Sequence, residues 1–142
     1  MGEPKDAQKD AEETGVFCWN VTTEALAEAM NYSAAPLPAG ESEFDLAKLS
    51  HSPARLVDAP IVNGAPLVFE CRYLRTVAIP NRKPQTEEAN CVIVGEVLGM
   101  HLHDSVLTDG KVDVTKLRPV ARLGYSQEYT VVQQASHDCA CE

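Results

Sequence analysis

The sequence predicts a mainly β domain with flanking helices. Residues 67–79 and 91–103 are two long runs of β-branched, aromatic and aliphatic residues, bounded by Pro66, Pro80 and polar connections. Shorter segments on either side carry the 3.6-residue spacing and end signals of brief helices. In the second long run Gly95 and Gly99 stand four apart on one strand face, leaving room for a close neighbour. A strand apolar on both faces is expected inside a closed or covered sheet. Three or four strands with two or three helices suit an α+β or small-barrel class. So few strands close no barrel alone, so their edges are expected to be exposed or paired with another copy.

In chain order, residues 3–14 read as a short polar helix with Pro4 at its start and Gly15 as its stop. Residues 16–22 (Val-Phe-Cys-Trp-Asn-Val-Thr) are rich in β-formers and predict a strand. Thr22 or Thr23 is expected to cap a helix over 24–33, with Leu26, Ala29 and Met30 on one face. Pro36 and Pro38 mark a loop, 42–49 a second short helix, and 51–60 irregular chain. Strand 67–79 alternates well and is expected to pair with 91–103 across an exposed connection at 80–90. Asp109-Gly110 is a turn signal, 112–117 a helical turn stopped before Pro119, and 127–133 a last strand. The expected organisation is one domain over 1–134 and a flexible tail over 135–142.

The length of 142 residues allows one domain with a real core, and 44 % hydrophobic with 23 % charged residues is ordinary for a globular protein. A formal charge of −9 argues against general affinity for nucleic acid or anionic membrane. No apolar run approaches the roughly 18 residues of a membrane span, and no signal-peptide region opens the chain. The cytoplasm is the expected compartment. The cysteine count of five is odd, and Cys18, Cys71 and Cys91 sit in strand patterns where a thiol packs as a small hydrophobe. No disulfide framework is expected.

Few residues signal chemistry by type and spacing alone. His101 and His103 alternate onto one strand face, but no Cys or acidic pair completes a metal shell, since Asp104 falls on the other face. His137, Cys139 and Cys141 form a cluster in the tail with no dedicated ligand set. No metal is expected. Ser42 and Ser50 stand in capping contexts. There is no Ser-His-Asp order, P-loop or dinucleotide glycine fingerprint, so hydrolase and kinase readings have no support.

A series of short motifs runs from Lys5 to about Val132. Lys5-Asp6-Ala7 opens the first helix, Glu13-Thr-Gly-Val-Phe-Cys-Trp-Asn20 leads into the first strand, and residues 24–31 end in Glu28-Ala-Met-Asn31. Glu43-Phe44, Phe69-Glu70-Cys71, Val94-Gly95-Glu96-Val97 and Arg122-Leu123-Gly124-Tyr125 follow in order. Each is weak alone; the ordered series resembles the flavin reductase-like, FMN-binding split-barrel family. The resemblance implies a split β-barrel that binds FMN non-covalently, forms homodimers and, in enzymatic members, passes a hydride from NAD(P)H to flavin. It places Lys5 and Asp6 where the family starts its phosphate-side helix. There Lys5 and the helix N-terminus either hold the FMN phosphate or form an exposed chain end. Asn20 either hydrogen-bonds flavin or holds a turn. Arg122 either meets a nicotinamide or flavin charge across a dimer interface or pairs with a carboxylate.

The sequence departs from the family pattern in three places. Ala7 stands where a Thr or Ser hydroxyl usually follows Lys-Asp, and Asp10 where an Asn is common. Neither the "RPI"-like strand nor the "N-x-A-P-[FY]-S" loop that usually precedes the Lys-Asp helix is present. The split barrel is therefore expected to be incomplete at the N-terminus and to bind FMN weakly. Two rivals to a flavin reductase stay open: a non-catalytic dimerising remnant, and a flavin-binding protein without NAD(P)H turnover.

Overall fold

The structure, a computed structural model, describes residues 6–38, 40–79, 90–124 and 128–133. The chain divides into two compact units, one of Met1–Trp19, Ser52–Ile61 and Val68–Met100, the other of Asn20–His51, Val62–Leu67 and His101–Glu142. Helices α1 (Asp6–Thr14), α2 (Ala27–Tyr32), α3 (Glu43–Leu46) and α4 (Val114–Leu117) are short. Strands are β1 (Val16–Asn20), β2 (His51–Pro53), β3 (Pro60–Val62), β4 (Leu67–Ile79), β5 (Asn90–Leu102), β6 (Leu107–Thr108), β7 (Lys111–Val112), β8 (Val120–Arg122) and β9 (Tyr129–Val131). The architecture is mainly β with flanking helices, as the sequence predicts.

In the first unit, α1 ends where Gly15 takes a φ of 74° and its N–H reaches back to the Ala11 carbonyl at 3.1 Å, the left-handed stop expected of that glycine. The central sheet has the order β1-β4-β5. Tyr73 N–H donates to Gly15 O at 2.8 Å and Val21 N–H to Leu67 O at 3.0 Å, bonds that set β1 antiparallel to β4. Trp19 stacks on Phe69 across this pair, with centroids 5.2 Å apart and planes 14° from parallel. A Cβ at Gly95 would lie 2.5 Å from the Phe17 ring, and one at Gly99 would lie 2.6 Å from Leu56 Cδ1. Both glycines thus serve the close approach inferred from their spacing. Side chains of α1 reach the sheet: Thr76 donates to Glu12 Oε1 at 2.5 Å, and the Cys91 thiol to Gln8 Oε1 at 3.1 Å.

The buried side of this unit is organised by one acid. Glu70 is 1 % exposed, among Val68, Cys71, Val57 and Ala11. Its carboxylate accepts the N–H groups of Arg55 (3.1 Å), Leu56 (2.6 Å) and Val57 (3.1 Å), so the connection between β2 and β3 wraps around it. That corrects the expectation of irregular chain over 51–60: β2 and β3 pair there, closed by Ala54 N–H to Ala59 O at 3.1 Å. Cys18 Sγ points at Ala59 O, and burial, then the charges of Glu70 and Cys71, push its thiol up to about 11.

In the second unit Thr23 precedes a 3-10 turn (Glu24–Leu26) that runs into α2, splitting the single helix expected over 24–33. Neither Thr23 nor Ser42 makes a side-chain cap, and the Ser50 hydroxyl accepts instead from Asn63 Nδ2 at 3.3 Å, so hydroxyl capping is not their role. Asp109 and Gly110, both at positive φ, turn β6 into β7 with Thr108 opposite Lys111, a two-residue hairpin of the kind D-G favours. Asp113 caps α4 through Thr115 N–H (2.9 Å) and Lys116 N–H (3.3 Å); hydrogen bonds from Thr115 and Thr108 hold its carboxyl down at about 2. Arg118 closes that helix at φ 48°, ahead of Pro119, and β8 pairs with β9 through Ala121 opposite Thr130.

Two further expectations change. The long strands are covered only over part of their length among the described residues: Val68 and Cys71 of β4 are buried, but Val97, Leu98, Met100 and Leu102 on β5 are 40–61 % exposed, and Leu74, Val77 and Ile79 on β4 41–54 %. The strand inventory also exceeds the three or four expected, because β2, β3, β6, β7 and β8 are too short for periodicity to register. The connection at 80–89 and the tail at 135–142 lie outside the described residues.

Glu70→Ala strands three loop N–H groups and is expected to cost on the order of 3 kcal/mol in urea unfolding. Glu70→Gln keeps one oxygen acceptor and should cost less; equal losses would show the loop is held otherwise. Cys18 is expected to alkylate with iodoacetamide at pH 8 roughly tenfold or more slowly than in the urea-unfolded chain, because little thiolate forms below a pKa of about 11. Native and unfolded rates read by peptide mass spectrometry check this; equal rates contradict it.

Candidate functional site

Asn20 is the residue of the expected set that the structure places in a cavity. It ends β1, and its Oδ1 accepts the Val62 N–H at 3.0 Å, tying the strand end to the end of β3. With Thr22, Met30, Ser33, Leu49 and Val62 it lines a hollow of ≈ 110 Å³. Local order builds this wall. Leu26 and Met30 present one face of the 3-10 turn and α2, and Leu49 N–H is held by Phe44 O at 2.8 Å. Ser33 Oγ donates to Met30 O at 2.8 Å, so its hydroxyl is engaged by its own helix end. The hollow takes a small apolar group or the edge of a ring. Whole-ligand sites run to several hundred Å³, so these residues alone do not enclose a ligand of that size.

Neither Asp6 nor Arg122 lines that hollow. Asp6 opens α1 with its side chain 74 % exposed and 4.0 Å from Lys9 Nζ, where its charge complements the helix dipole and disfavours a phosphate at the same end. Lys5 lies outside the described residues. Arg122, on β8 opposite Tyr129, is exposed and does not line the Asn20 hollow.

His103 is a capping residue: its Nδ1 accepts the Ser105 N–H at 3.2 Å and lies 2.8 Å from Ser105 Oγ, at the start of the 3-10 turn Asp104–Val106. Among the described residues no group of three His, Cys, Asp or Glu side chains is placed to hold a metal. His137, Cys139 and Cys141 are outside them. Cys18, Cys71 and Cys91 are not joined in disulfides. No described helix is long and apolar enough to cross a membrane.

Sequence reasoning passed over two features of this region. One is Glu70, whose signal was an acid inside the apolar Phe-Glu-Cys run. The other is Arg118, whose Nε and Nη2 both lie 2.6 Å from Glu24 Oε2, a pair far apart in sequence that no local pattern announces.

Known proteins resemble the chain throughout. An uncharacterised protein of Halalkalibacterium halodurans is 34 % identical over 122 residues, which cover 86 % of this chain and 57 % of that protein. The crystal structure of nitrilotriacetate monooxygenase component B from Bacillus cereus superposes with a TM-score of 0.83 at 30 % identity, over 96 % of this chain and 66 % of that one. Flavoredoxin of Desulfovibrio vulgaris shares the fold, with a TM-score of 0.79 at 21 % identity over 99 % of this chain and 71 % of its own. The chain thus spans little more than half the length of its curated relative. The family described as flavin reductase like domain matches residues 1–126, and the chain belongs to that family, with its split-barrel fold.

Proposed function

We propose that the chain is the flavin-binding part of an oxidoreductase that holds FMN non-covalently and passes a hydride to it from NADH or NADPH. Family membership over residues 1–126 is the observation that carries this reading. Bound flavin would supply the redox chemistry; the chain's own task is to place it. Asn20 and the hollow beside it offer an apolar wall with polar edges for one side of a ring. Lys5, Asp6 and Arg122 remain proposed contacts, Lys5 toward the phosphate and Arg122 toward a negatively charged partner group. The working unit is proposed as residues 1–134, in the cytoplasm, with 135–142 as a flexible tail.

A homodimer is part of the proposal. The half-exposed Leu74, Val97, Leu98 and Met100 on β4 and β5 support it, since apolar side chains spread along a two-strand ribbon favour a partner. The rival reading, a dimerising protein without flavin, is favoured by one observation: the hollow is smaller than a cofactor site.

Titration of FMN with the chain, followed by quenching of flavin fluorescence, is expected to saturate with a Kd weaker than micromolar. The small hollow, Ala7 and Asp10 each remove part of the binding energy, a loss of about tenfold per missing charged hydrogen bond. Anaerobic NADH or NADPH is expected to bleach the bound flavin. Absence of saturable binding near millimolar protein would transfer the case to the flavin-free rival. Separately, light scattering at tens of micromolar should give twice the chain mass; a stable, non-aggregating monomer contradicts the dimer.

A further inference from the structure

The second unit holds another concavity, away from Asn20, and its chemistry is different. Thr23, Glu24, Pro66, Ser105, Lys116 and Arg118 line a cleft of ≈ 280 Å³. Lys116 Nζ uses one of its N–H groups on Leu107 O at 2.9 Å, which fixes the ammonium at the rim with donors to spare. Arg118 is anchored through Nε and Nη2 on Glu24 Oε2, and this contact neutralises the one carboxylate in the wall. The cleft carries two cations against one anion, in a chain whose formal charge is −9.

Thr23 supplies an independent observation. It is 7 % exposed, and its hydroxyl makes no hydrogen bond to any described residue: it does not cap the 3-10 turn that follows it. Among the described residues no fully buried side-chain oxygen or nitrogen lacks a partner. An unpaired Thr23 oxygen is therefore one that opens onto the cleft it lines. Such a hydroxyl keeps its donor for whatever enters the cleft. Beside an ammonium and a guanidinium, the group that matches it is an oxyanion.

We propose that this cleft is a binding site for a phosphoryl group, with Thr23 as the hydroxyl donor and Lys116 and Arg118 as the compensating charges. Its volume exceeds that of a bare phosphate and leaves room for the start of an ester substituent. The site does not depend on the flavin reading, since its donors are separate from the Asn20 hollow. Either a nucleotide phosphate or free inorganic phosphate presents the required chemistry.

The test is amide chemical-shift titration of the chain with potassium phosphate at constant ionic strength, with chloride as control. Saturable shifts at Thr23, Ser105 and Lys116 are expected, with a midpoint of order millimolar. Thr23→Val keeps the shape and removes a hydroxyl that has no partner among the described residues, so unfolding by urea should be unchanged or slightly harder. Phosphate binding by that variant should fall about tenfold. Lys116→Gln should weaken it similarly and gives a second readout. Parallel titrations with FMN against riboflavin, and NADPH against NADH, identify the source. A response only to the phosphorylated member of a pair assigns that nucleotide, and a response to neither assigns inorganic phosphate. Shifts that do not saturate, or equal phosphate affinity in wild type and both variants, overturn the proposal.

Discussion

Three backbone N–H groups closing on the Glu70 carboxylate set the geometry of the first unit. A carboxylate that is 1 % exposed is tolerable only when its oxygens are engaged, and here the consecutive amides of Arg55, Leu56 and Val57 donate to them. The arrangement ties the middle of the central strand to the turn between β2 and β3. It also sets what that turn can touch: Leu56 places Cδ1 over the space left by Gly99, and Ala59 O receives the Cys18 thiol. Loop, glycine and thiol thus depend on one ionised side chain. Leu, the commonest occupant of such a buried strand position, would leave three amides without acceptors.

Gly95 shows the same logic without charge. Phe17 fills the space where its Cβ would stand, and the Arg72 carbonyl is 3.0 Å from that point, so neither a methyl group nor a shifted strand fits easily. Nearby, Arg72 and Glu96 form an ion pair across β4 and β5 on an exposed surface, where such a pair adds little stability. Packing against Phe17, more than charge, decides how these strands lie.

The parts of the fold legible in sequence are those where one local rule is enough. Strand β4 runs over 67–79 as its alternation and Pro66 indicate, β5 starts one residue before Cys91, and Gly15 and Asp109-Gly110 turn where their conformational freedom predicts. The β2–β3 pair was illegible because Pro53, Asp58 and Pro60 read as loop residues. What organises them is Glu70, more than ten residues away. Thr23 illustrates the opposite failure. Its position at a helix start suggests a cap, yet the hydroxyl does not bond the turn, and only the cleft explains a polar group there. Asn20 ends β1, where its Oδ1 accepts the Val62 N–H from a residue distant in sequence, a tie no local pattern announces.

Burial gives the last step. In the first unit the start of β4 is buried on both faces, at Val68, Glu70 and Cys71, while Val97, Leu98 and Met100 of β5 stay about half exposed. Two long strands filled over only part of their length bury too little apolar surface to be rigid alone, since an isolated ribbon is marginal in water. Any group that covers β4 and β5, a second copy in the proposed dimer, then contributes to folding as well as to assembly, and stability becomes dependent on protein concentration.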